Sequence, residues 1–103
     1  MDDIEKDKVI DKYLEKNETK NKVTQEDIDR VLKGAEVIRE TVFDKCTLVT
    51  VKLKNGFILT ESSACVDPVN YDAKIGYDIC LERIKNKLWE LEGYKLQCKL
   101  KGE

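Results

Sequence analysis

The side chains able to do chemistry are few. The 103-residue chain contains no histidine. A Ser-His-Asp triad, a Cys-His pair and every histidine-bearing zinc site are therefore excluded. General acid–base work would fall to paired carboxylates or a tuned lysine. Glu61 and Asp67 flank one irregular stretch, and Asp72 follows it. Asp72 reads more simply as a helix cap. Ser62 and Ser63 have no base partner, and no GxSxG elbow is present. Cys46, Cys65, Cys80 and Cys98 are spaced by 19, 15 and 18 residues, without a CxxC knuckle. That spacing does not suit a four-cysteine zinc site, so no metal is expected. The cysteines read as buried small hydrophobes in a reducing compartment. The five glycines are isolated, which leaves no phosphate-cradling loop. The expectation is a protein that is not an enzyme and needs no cofactor.

Binding chemistry is better supplied. Arg83 lies beside an apolar helical stripe. A planar guanidinium there suits phosphate recognition, or it is simply solvated. Phe57 directly follows Asn55-Gly56. It is either a core residue or a plate on which a base stacks. Asn70 offers both donors and an acceptor to a base edge or ribose, or it caps a turn. Trp89, beside Leu88 and Leu91, reads as packing.

Nineteen basic and 21 acidic residues give a formal net charge of −2. A dedicated duplex-binding domain is usually strongly basic, so no duplex nucleic acid is expected as partner. Hydrophobic residues make up 41%, enough for one modest core. No apolar run approaches the ~20 residues of a membrane span. The start, Met1-Asp2-Asp3-Ile4-Glu5, lacks the layout of a secretory signal. A soluble product, with no membrane partner, is expected to stay where it is made.

The elements that must position these residues follow from periodicity. Residues 1–22 form a polar segment, with a weak helical stripe of Ile4, Val9, Ile10, Tyr13 and Leu14. The domain proper is placed at 23–103. Thr24 and Asp27 suggest a capped helix with Ile28, Val31, Leu32 and Ala35 on one face, ended by Gly34. From Glu36 the pattern turns to strands, with Val37, Ile38, Val42 and Phe43 opening a β-prone stretch. Asp44-Lys45 reads as a turn. In Cys46 to Lys54, Val49, Val51 and Leu53 alternate with polar residues. Asn55-Gly56 signals a hairpin with both turn residues at positive φ. Phe57–Thr60 returns, and residues 61–72 read as irregular. A long helix is predicted from Ala73 to Leu91, with Tyr77, Leu81, Ile84, Leu88 and Leu91 as its stripe. Ile75, Ile79 and Trp89 widen its apolar surface towards a partner subunit. Gly93 is expected to end it. Tyr94, Leu96, Cys98 and Leu100 alternate with polar residues and suggest a last strand. The fold class is α+β: an antiparallel sheet of three to four strands on one long helix, with two N-terminal helices.

Several blocks together resemble one family. They are Asn55-Gly56-Phe57, Glu61-Ser62-Ser63-Ala64-Cys65-Val66, Pro68-x-Asn70-Tyr71-Asp72, Ile75-Gly76, and Lys87-Leu88-Trp89-x-Leu91-Glu92-Gly93-Tyr94. In order and spacing they resemble the small tailed-phage "Gp49-like" proteins, from about Thr24 to Leu100. Some members of that family are Thoeris anti-defence proteins. These sponges sequester cyclic ADP-ribose signals made by bacterial TIR-domain enzymes, and some also take up cyclic oligonucleotides. The resemblance implies a homo-oligomer, from dimer to hexamer, in the cytoplasm of an infected or lysogenic host. It implies capture of a cyclic nucleotide signal at subunit interfaces, without cleavage. The family's site uses an aromatic residue and arginine, which Phe57 and Arg83 supply here, with Asn70 in support. Many members carry basic residues at the start of the long helix, where this chain has Tyr77 and Asp78. The rival expectation is a phage interaction protein that inhibits a host protein directly.

Overall fold

The computed structural model describes residues 21–103. The first of the two expected N-terminal helices, over Ile4 to Leu14, lies outside the described residues. The described elements are α1 (Gln25–Lys33), β1 (Glu36–Val42), β2 (Cys46–Lys52), β3 (Ile58–Ala64), a 3-10 turn (Pro68–Asn70) and α2 (Ala73–Lys101). No helix among the described residues is long and apolar enough to cross a membrane.

The start of α1 is a closed capping box. The Asp27 N–H donates to Thr24 Oγ1, and the Thr24 N–H returns a bond to the Asp27 carboxylate. Backbone and hydroxyl donors of Thr24 hold the Asp27 carboxyl below its ordinary value. Ile28 is fully buried, and Val31, Leu32 and Ala35 pack against the same core, which is the face the sequence marks. Gly34 ends the helix at φ −103, outside the left-handed region. Its missing side chain matters instead, because a Cβ there would collide with the stem of Lys54.

The three strands form one antiparallel sheet in the order β1-β2-β3. Thr47, Val49 and Val51 of β2 point under α2 and are buried. Their neighbours in register are Thr41, Arg39 and Val37 on β1, and Ser63, Glu61 and Leu59 on β3. Contacts run from α2 to β2 and β3, so the helix covers that side of the sheet. Its buried line is Gly76, Cys80, Ile84 and Leu88, at helical spacing. Tyr77 and Leu81 are half-buried at its margin, while Leu91 is exposed. Together with Ile28, Leu53 and Leu59, this line forms one core. Each fully buried aliphatic side chain there contributes roughly 1.5–3 kcal/mol.

The structure corrects several expectations. Residues 94–100 are not a strand, because α2 continues to Lys101. A glycine inside a helix costs about 1 kcal/mol relative to alanine, so Gly93 weakens α2 without breaking it. On the continuing helix the period-2 set is split between faces: Leu96 and Cys98 are half-buried, Tyr94 and Leu100 exposed. The helix ends at Gly102, which takes the left-handed φ of 75 and donates back to the last turn. Lys99 and Lys101 suit its negative end. The sheet therefore has three strands. β3 runs on to Ala64, through Glu61-Ser62-Ser63, which the sequence marks as irregular.

The two hairpin turns also differ from expectation. At Asn55-Gly56 only Gly56 has positive φ, at 90. The Gly56 N–H donates to Leu53 O and the Leu53 N–H to Phe57 O, which closes a three-residue loop. Phe43 belongs to the first turn rather than to a strand. Phe43 and Asp44 both take positive φ, at 53 and 59. The Phe43 ring is 88% exposed, so no packing holds this unusual backbone in place.

Close approach of α2 to β2 depends on Gly76. A Cβ at Gly76 would lie 2.8 Å from Thr47 Cβ and nearer still to its hydroxyl. Gly76→Ala is therefore expected to destabilise the domain by about 1–3 kcal/mol, the range for overpacking a tight core. The check is a lower urea midpoint with an unchanged m value. An unchanged midpoint would mean that the helix does not sit this close to the sheet.

Candidate functional site

The free edge of β3 faces the exposed side of α2. This seam carries all three binding residues read from the sequence, but at separate points. Arg83 donates from Nη1 to the backbone carbonyl of Ser62 at 2.7 Å. Lys87, one turn on, donates to Thr60 O at 3.3 Å and pairs with Glu61 at 3.0 Å. These side chains occupy outward carbonyls of an edge strand, which would otherwise invite pairing with another chain.

Phe57 sits at one end of the seam, 48% exposed. The Asn55 side chain accepts its N–H at 2.9 Å, which fixes the backbone on which the ring is mounted. The ring borders a cavity of about 220 Å³ with Leu53, Leu88 and Leu91. Asn70 lies at the opposite end, on the 3-10 turn. It borders a smaller cavity of about 140 Å³ with Ser63, Tyr71 and Ile79. Phe57 and Ser62 are five positions apart along extended chain, about 17 Å. Within one chain, Phe57 and Arg83 thus do not close on one compact ligand.

The carboxylates weighed for catalysis are engaged in structure. Glu61 is held by Lys87. Asp67 accepts the Val69 N–H at 3.0 Å and so caps the 3-10 turn. Asp72 accepts the N–H groups of Lys74 and Ile75, which caps α2.

The four cysteines are free thiols. Only Cys80 is fully buried, and burial pushes its thiol above the ordinary value. Cys46, Cys65 and Cys98 are half-buried, which corrects the expectation of four core cysteines. Among the described residues no group of three potential ligands could hold a metal ion.

Two features escape the sequence reading. Tyr71 joins its hydroxyl to Thr41 Oγ1 at 2.9 Å and to buried Thr47 Oγ1 at 2.7 Å. Arg39 lies over the Tyr77 ring, 4.5 Å from its centre. Arg39, Thr41, Thr47 and Tyr71 line one cavity of about 330 Å³. These residues come from separate elements, and no local spacing links them. The one hint is Gly76, whose missing Cβ admits Thr47.

No curated protein and no solved structure matches the chain. A family model, the phage protein (N4 Gp49/phage Sf6 gene 66) family, matches residues 14–100. The match begins upstream of Thr24, so it takes in part of the polar N-terminal segment. It spans α1, the sheet and nearly all of α2. The chain belongs to this phage protein family.

Proposed function

We propose that this protein is a phage anti-defence sponge, which binds a cyclic ADP-ribose-type signal and holds it without cleaving it. The observation that carries the reading is the seam between β3 and α2. It displays a half-exposed aromatic ring, an arginine and an asparagine along one open edge. A ring of this kind stacks on a base, and a guanidinium donates from its fork to phosphate oxygens. Because Phe57 and Arg83 stand apart in one protomer, a closed pocket needs a second copy of the chain. Exposed Ile75 and Ile79 on α2 border the same seam and give such a copy apolar surface. Capture by mass action needs tight binding and no chemistry. The structural engagement of Glu61, Asp67 and Asp72 fits that economy.

A second reading rests on Phe43, Val66 and Val69, which are 88–93% exposed. Apolar side chains set out in this way suit contact with a protein partner. On that reading the protein inhibits a host protein directly.

The test is a binding screen of the purified chain against cyclic ADP-ribose isomers and cyclic oligonucleotides, with light scattering during size exclusion. The expected result is at least a dimer that takes up one signal class in fixed stoichiometry. A monomer at micromolar concentration that retains none of these nucleotides would sink the sponge reading and favour the direct inhibitor.

A further inference from the structure

The cavity beside Phe57 does not end there. It shares Leu53, Asn55, Glu92 and Lys95 with a second cavity of about 330 Å³. That one shares Arg30, Val31, Glu92 and Lys95 with a third, also about 330 Å³. Together they form one groove between α1 and the C-terminal half of α2, with the β2–β3 hairpin as its near wall. Its apolar surface comes from Val31, Leu53 and Leu88.

The charge of this groove is opposite to that of the chain. The whole sequence carries −2. Around the groove stand five cations, Lys22, Arg30, Lys54, Lys95 and Lys99, against two carboxylates, Asp27 and Glu92. Both carboxylates are matched already, Asp27 by Arg30 at 3.1 Å and Glu92 by Lys95 at 3.9 Å. Among the described residues, Lys54 and Lys99 make no ion pair. The Lys54 stem lies where the absent Cβ of Gly34 leaves room, which fixes this lysine beside the groove.

An aromatic ring at one end of a cationic groove with apolar walls fits one class of ligand. We infer that the groove binds the phosphates of a nucleotide whose base stacks on Phe57, with Lys54 and Lys99 as the phosphate-binding residues. The inference rests on the nucleotide-capture reading above and assigns its phosphate contacts within the protomer that supplies the ring. Arg83, which donates to Ser62 O in this protomer, then serves a ligand seated on a neighbouring copy.

Calorimetric titration of the full chain with inorganic pyrophosphate and with ADP, each at two salt concentrations, tests this. Both probes are expected to bind, ADP more tightly, and both to weaken with salt. Lys54→Ala with Lys99→Ala should lower the affinity for both by about tenfold, given the strength of hydrogen bonds to charged groups. Phe57→Ala should weaken ADP and leave pyrophosphate unchanged. Failure of the parent to bind either probe, or affinity unchanged in the double lysine variant, would overturn the inference. Equal affinity for a polyglutamate peptide, indifferent to Phe57→Ala, would assign the groove to an acidic protein segment instead. If TIR-derived signal is captured normally by the double lysine variant, the groove assignment is wrong and the sponge reading stands. If ADP and pyrophosphate bind as expected but no signal is captured, the groove stands and the sponge reading is wrong.

Discussion

Ile84→Ala is expected to lower the stability of the domain by about 3 kcal/mol, the middle of the range for deleting a buried aliphatic side chain. Ile84 is fully buried between the sheet and α2, in the middle of the line Gly76, Cys80, Ile84, Leu88. Its removal leaves a cavity that β2 and β3 cannot readily fill, because the ladder between them holds both strands in register. For a domain of this size the melting temperature should fall by roughly 15 °C. Thermal unfolding at one fixed protein concentration is the check, since subunit association would otherwise shift the midpoint. A change of only a few degrees would mean that Ile84 is not the centre of the core.

The second large effect concerns binding. Phe57→Ala should weaken capture of the signal by about ten- to a hundredfold, the usual worth of a base–aromatic stack. The half-exposed ring lies outside the buried core, so stability should change little. Arg83 is the immediate neighbour of Ile84 in sequence, yet its substitution should behave in the opposite way. Arg83→Ala gives up a bond to Ser62 O and should cost about 1 kcal/mol of stability. Its larger effect should be on affinity, and Arg83→Lys should not restore it, because an ammonium lacks the fork that grips phosphate. Isothermal titration with the captured isomer, alongside thermal melts of the same samples, separates the two effects. Parent-like affinity in both Phe57→Ala and Arg83→Ala would remove these residues from the site.

What the sequence made legible was local. The Thr24 cap with its first-turn acid Asp27, the alternation of Val49, Val51 and Leu53, the Asn55-Gly56 turn and the Asp72 cap each depend on residues a few positions apart. The caps and the alternation stand where their spacing implies, while the turn falls at Asn55-Gly56 with only Gly56 at positive φ. What escaped depends on partners distant in sequence. Glu61-Ser62-Ser63 has weak strand propensity. It is a strand because β2 offers it a ladder and Lys87 neutralises Glu61. Residues 94–100 read as a strand because Tyr94, Leu96, Cys98 and Leu100 alternate with polar residues, whereas in the structure α2 runs through them and leaves Tyr94 and Leu100 exposed. Phe57, Asn70 and Arg83 were legible as residue types with binding chemistry. Their placement along one seam was not, because Arg83 is positioned by a backbone carbonyl, which no side-chain pattern reveals. The cationic groove was hidden for a related reason. Its lysines are scattered through a chain of near-balanced charge, and only the packing of α1 against α2 gathers them.

Capture without turnover is tested most directly by one measurement. A TIR-derived cyclic ADP-ribose signal is incubated with excess protein, and the complex is removed by filtration. The filtrate is assayed for activation of the downstream effector. The retained protein is then denatured by heat, and the released fraction is analysed by chromatography and by the same effector assay. Capture without turnover predicts an inactive filtrate and recovery of unmodified, active signal from the denatured protein. An active filtrate, or release of linear product alone, would contradict it.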